Sequence, residues 1–134
     1  MHILAILSQS LIGADLVVRL KNEGHAVRVF IDSELQSECL NGMVEKTEDW
    51  KNDLSWVGKD GLIIFDDVEY GEIQDRLRQD GFSVVGGSAG SDRLELDREF
   101  GQKVFSQFGM GVAELFNFSN ADEAIRFVAE HGGV

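Results

Sequence analysis

The chain has 134 residues, 43% hydrophobic and 27% charged, with 24 acidic against 12 basic side chains and a formal net charge of −12. That length suits a globular fold able to bury most of its apolar surface. The acidic balance argues against a reader of nucleic-acid backbone or a protein docked on anionic lipid, since both need Lys and Arg gathered on one face. Cys39 is the sole cysteine, which excludes an internal disulfide and a Cys-based metal site.

The start, "MHILAILSQS", lacks a basic leader and reads as a strand, not a secretory signal. No apolar run approaches the ~20 residues that cross a bilayer. A reducing, cytoplasmic location is therefore expected, with neither nucleic acid nor membrane as partner. Residues 2–8, "HILAILS", are a β-rich apolar run of the kind buried on both faces of a parallel sheet. After the loop "SQSLIG", residues 14–24 are amphipathic, with Leu16, Val17 and Leu20 on one face and Gly24 as the C-cap. "HAVRVFID", 25–32, is a second strand, completing a βαβ unit with a right-handed crossover.

Residues 33–59 are less regular. Ser33 is a possible cap for a helix with Leu35, Cys39, Leu40 and Met43 inward. Trp50, Leu54, Trp56 and Val57 suggest a short helix packed on the sheet. A third strand is expected at 60–67, a helix at 68–81 with Ile73 and Leu77 inward, and a fourth strand at 82–87. Strands alternating with helical patterns at this spacing predict an α/β fold with a mainly parallel open sheet and helices on both faces. Beyond "GGSAGS" the pattern changes to a helix at 94–108 with Phe100, Val104, Phe105 and Phe108 as its core stripe. A strand at 112–118 follows, then a helix at 119–133 capped by Ser119 and carrying Ala124, Ile125, Phe127 and Val128. The final "GGV" reads as the lead-in to another strand.

Open α/β sheets bind ligands beyond the carboxyl ends of their strands. Position alone therefore nominates Ser8, Gln9 and Ser10 after the first strand and Asp32 after the second. Asp66 and Asp67 end the third, and Gly86, Gly87 and Ser88 end the fourth. The first turn has one glycine where a dinucleotide fingerprint needs three, and "GGSAGS" lacks the Lys-Ser or Lys-Thr of a P-loop. "GGSAGS" reads equally as a flexible turn or a ligand-touching loop. Were Asp66 and Asp67 both within the strand, they would point to opposite faces, and strand-ending Asp residues are most often turn formers or caps. A metal site is not expected there. His2, His25 and His131 show no ligand spacing, and no catalytic constellation is visible.

The second half resembles the junction region of phosphoribosylamine–glycine ligases, which are ATP-grasp enzymes. The resemblance lies in the order of features: "GGS" at 86–88, "LELDREF" at 94–100, "KVF" at 103–105, "GMGVAE" at 109–114 and "ADEAIRFV" at 121–128. It covers about residues 60–134, and the preceding part matches only in architecture. It implies a Rossmann-like pre-ATP-grasp domain at 1–90 and the first elements of an ATP-grasp domain at 91–134.

The implied activity is ATP-dependent carboxylate–amine ligation of the purine-biosynthesis type. ATP and Mg²⁺ would be held by the remaining ATP-grasp domain of the parent, and none would bind tightly here. The chain alone would be inert, with no catalytic residue of its own. Ser8, Gln9, Ser10, Asp66, Gly87 and Ser88 would face a small-molecule substrate. Arg98 would meet a nucleotide phosphate, or else face solvent beside Glu95 or Gln102. An apolar face left uncovered would favour a homodimer. The family's Gly-Gly-Arg-Glu-His loop is replaced by "SQSLIGAD" at 8–15, a departure that bears on the phosphoribosylamine substrate. The alternative is a stand-alone, non-catalytic binding or interaction module.

Overall fold

The computed structural model describes residues 1–132; the expected lead-in strand after them lies outside the described residues. The chain forms two compact units, Met1–Asp97 and Arg98–Val134. The boundary expected at 90/91 falls inside a helix that belongs wholly to the first unit.

The first unit is a five-stranded, all-parallel open sheet. Its strands are β1 (His2–Leu7), β2 (Ala26–Ile31), β3 (Glu45–Lys46), β4 (Leu62–Phe65) and β5 (Val84–Val85). Their spatial order is β3-β2-β1-β4-β5. β1 is central, pairing Ile3 with both Val27 and Leu62. Its side chains alternate between the two faces, and both faces are covered. Ile3, Ala5 and Leu7 join a cluster with Val17, Val27 and Val29. Leu4 and Ile6 join the opposite one with Val57, Ile63, Phe65 and Leu77. Burying each such Leu or Ile contributes about 1.5–3 kcal/mol.

The helices follow from these two faces. α1 (Ala14–Asn22) lays Val17 on the first cluster. Leu16, expected inward, is exposed, because Val17 occupies the position that points at the sheet. α2 (Leu54–Val57), entered through a 3-10 turn at Trp50–Asp53, and α3 (Gly71–Gln79) cover the second cluster. The inward row of α3 is Gly71, Gln74 and Leu77, so the buried polar Gln74 takes the place expected for Ile73, which is 40% exposed.

Between β2 and β3 the expected helix does not form. Residues 35–43 run as successive turns, with i→i+3 bonds such as Cys39 N–H to the Gln36 carbonyl. Leu40 and Gly42 are left-handed at φ 62° and 74°, which a helix cannot contain. The segment instead delivers β3, unforeseen in the sequence. It is tied down where Arg28 pairs with Glu45 at 2.8 Å and Asp53 at 2.5 Å, its guanidinium 4.4 Å from the Trp56 ring.

The expected 94–108 helix is two helices, α4 (Ala89–Leu96) and α5 (Arg98–Gln107), broken at Asp97, whose ψ of 90° is extended. α4 belongs to the first unit; α5 and α6 (Ala121–His131) make up the regular part of the second. Residues 110–118 have no regular structure, so the strand expected at 112–118 is absent. A strand forms only with a partner to bond, and no other strand lies within this unit among the described residues. Asn120, not Ser119, caps α6, accepting the Glu123 N–H at 3.0 Å. The Phe stripe is not a core either. Phe105 is 40% and Phe108 77% exposed, and only Gly101 of α5 is buried. Phe127 gathers Phe116 and Phe118 at ring distances of 4.4 and 5.2 Å, a small aromatic cluster in place of a core.

Candidate functional site

β1 and β4 are neighbours, yet the chain leaves them in opposite directions. α1 crosses the face bearing Val17, and α3 crosses the face bearing Leu77. This divergence is the topological switch point at which open α/β sheets leave a crevice beyond the strand ends. A cleft of about 500 Å³ lies there, lined by Ser8, Gln9, Ser10, Asp32, Asp67, Val68, Glu69 and Tyr70. A second hollow of about 680 Å³ adjoins it across Asp32, beyond the ends of β2 and β3, and is floored by Phe30 and Ile31.

Asp66 holds the cleft's base together. Its Oδ1 accepts the Ser8 N–H at 2.7 Å and its Oδ2 accepts the Gly13 N–H at 3.0 Å. Gly13 is the residue before α1, so this carboxylate stands at the positive end of that helix. Glycine eases the approach, because a Cβ on Gly13 would lie 2.9 Å from Leu7 Cδ2 and 3.0 Å from Asp66 Cβ, and both would have to give way.

Asp67 faces the same loop. Its Oδ2 accepts from Ser10 Oγ at 2.7 Å and Ser8 Oγ at 3.0 Å, and its Oδ1 accepts the Val68 N–H at 2.9 Å. These bonds, Ser10's foremost, hold the Asp67 carboxyl below its ordinary value. Both aspartates therefore address the β1–α1 loop, contrary to the alternation expected of strand residues. β4 ends at Phe65, so strand alternation no longer governs them.

Tyr70 donates its hydroxyl to Asp32 Oδ2 at 2.7 Å. Burial, then the Asp32 bond and the nearby carboxylates, push its phenol well above the ordinary value, so it remains a protonated donor. Glu69, between Asp67 and Tyr70, has φ 77°, a left-handed backbone that costs a non-glycine residue about 1–3 kcal/mol and gathers at binding loops.

Ser8, Gln9, Ser10, Asp32 and Asp67 thus come together in one cleft. Asp66 lies beneath it with both oxygens engaged. Gly87 and Ser88 do not line it. Ser88 is the N-cap of α4, its Oγ accepting the Ser91 N–H at 3.1 Å, and Gly87 abuts the Ser91 hydroxyl. Arg98 opens α5 in the second unit. Val68, Glu69 and Tyr70 escaped the sequence reading because "DDVEY" looks like the start of an amphipathic helix. Only the acids crowded after an apolar strand hinted at a wall there. Among the described residues, no three His, Cys, Asp or Glu side chains converge to hold a metal ion, and no helix is long and apolar enough to cross a membrane. No family model, curated protein or solved structure matches the chain.

Proposed function

We propose that the chain is the substrate-side region of an ATP-dependent carboxylate–amine ligase, of the kind that phosphoribosylamine–glycine ligases exemplify. In that reaction ATP converts a carboxylate to an acyl phosphate with release of ADP. An amine then attacks the acyl carbon and inorganic phosphate leaves. The first unit would hold the small-molecule substrate against Ser8, Gln9, Ser10, Asp32 and Asp67. The observation carrying this part is the cleft itself, built at the switch point from loops after three strands. The ligase class rests on the order of motifs from 86 to 128. By the same resemblance, the nucleotide and its Mg²⁺ are assigned to further ATP-grasp elements of the parent. Arg98, at the head of α5, would offer its guanidinium fork to a nucleotide phosphate.

A second reading, a stand-alone small-molecule-binding module, is favoured by one observation: every residue lining the cleft belongs to the first unit. Amide NMR of the 134-residue chain separates the two. Titration with a small primary amine is expected to move the Ser8–Ser10, Asp32 and Asp67–Tyr70 signals. ATP with Mg²⁺ is expected to move signals near Arg98 weakly and leave the cleft alone. No response at Arg98 would favour the stand-alone module. Micromolar ATP binding within the cleft would overturn the proposal.

A further inference from the structure

Helices that follow parallel strands begin at the ligand edge of the sheet, and their free N–H groups are the ordinary seat of a phosphate. In this unit a carboxylate of the chain stands at the start of α1, of α3 and of α4, and takes one N–H group at each. Asp66 occupies the start of α1. At α3, Asp92 Oδ2 accepts the Gly71 N–H at 2.7 Å. At α4, Asp75 Oδ2 accepts the Ala89 N–H at 3.0 Å, while Ser88 satisfies Ser91. Asp75 sits on α3 and Asp92 on α4, so these two helices cap each other.

The side chains facing the cleft show the same bias. Ser10 and Ser8 spend their hydroxyl protons on Asp67 or on each other, and Tyr70 spends its proton on Asp32. A hydroxyl has one proton and two lone pairs. What these three present to a ligand is therefore lone pairs, beside the Asp32, Asp67 and Glu69 carboxylates. No Lys or Arg lines the cleft. Lys46, in the adjoining hollow, is engaged by the Ser37 carbonyl and by Asn41 Oδ1.

We infer that the cleft takes an unphosphorylated, donor-rich amine, such as an amino sugar or amino polyol, and rejects the phosphorylated form. Asp66 is the specificity-determining residue, because it fills the anion seat nearest the ligand. This rests on the reading of the cleft as a substrate site and narrows its substrate class. A phosphate entering here would meet the Asp32, Asp67 and Glu69 carboxylates and hydroxyl lone pairs, with the Gln9 amide as a neutral donor and no cation to repay its desolvation.

The test is a matched pair, glucosamine and glucosamine 6-phosphate, titrated into the native chain and followed by amide NMR. Glucosamine is expected to shift the Ser8–Ser10 and Asp67–Tyr70 signals, and its 6-phosphate to bind about tenfold more weakly or worse. Equal or tighter binding of the phosphate would overturn the inference while leaving the cleft a ligand site. Silence from both would remove the cleft reading itself, and this inference with it. Asp66→Asn, which removes the charge and leaves one of the two N–H groups of Ser8 and Gly13 without its acceptor, is expected to narrow the gap between the two ligands. An unchanged gap in a folded variant would remove Asp66 from the role.

Discussion

The two units each present one helix face at the same spacing and reach opposite outcomes. In Met1–Asp97, the row Gly71, Gln74 and Leu77 of α3 is buried against a sheet whose β1 interior is sealed on both faces. In Arg98–Val134, the Phe100, Val104, Phe105 and Phe108 row of α5 buries none of its members fully. An amphipathic stripe records that a helix has an apolar face; it does not record what covers that face. A sheet supplies the cover in the first unit. A segment of under ~40 residues has too little interior to supply its own.

The sharpest way to break this contrast is to empty the covered side. Leu4 is 0% exposed at the centre of the sheet. Leu4→Ala is expected to destabilise the first unit by about 2–5 kcal/mol, the usual cost of a buried leucine truncation with its cavity. Urea unfolding followed by tryptophan fluorescence measures this cleanly, because Trp50 and Trp56 both lie in the first unit. A loss below about 1 kcal/mol would mean that this face is far less tightly packed than buried cores generally are.

A smaller effect tests the joint between α3 and α4. A Cβ on Gly71 would lie 2.3 Å from the Ser88 carbonyl and 2.5 Å from the Ala89 nitrogen, atoms of backbone that cannot rotate aside. Gly71→Ala is expected to cost about 1–3 kcal/mol, the range for overpacking a tight contact. Hydrogen exchange should speed up first at the α3 and α4 starts, where Asp92 and Asp75 exchange their caps. A variant as stable as the native chain would show that the helix starts do not touch as described.

The same contrast explains how much was legible beforehand. The central strands were readable because "LAIL" and "LIIF" are apolar without a break, which only two covered faces permit. β3 was not, since Glu45 and Lys46 are two charged residues at the sheet edge with no apolar run to mark them. The cleft was half readable: strand ends named Ser8, Ser10 and Asp67, because position alone fixes them. Asp66 and Asp67 turning to one loop depended on where β4 stopped, and a shift of one residue reverses a side chain's direction. Asp75 and Asp92, which close two helix starts, carry no sequence signal, since a cap given across helices leaves no local pattern.

The smallest expected effect lies on the uncovered side and is the most discriminating. Phe108 is 77% exposed, so its ring already sits largely in water in the folded chain. Phe108→Ser should then change stability by less than about 0.5 kcal/mol, as for surface substitutions elsewhere. The removed ring gives up little buried area, and at about 25 cal/mol per Å² little area means little energy. Helical signal by circular dichroism during thermal unfolding reads the second unit as well as the first, and should superimpose on the native trace. A loss of 2 kcal/mol or so, typical of a buried aromatic, would require Phe108 to be covered in solution. The difference between the units would then be one of partner, with the stripe on α5 as much an interior surface as the row on α3.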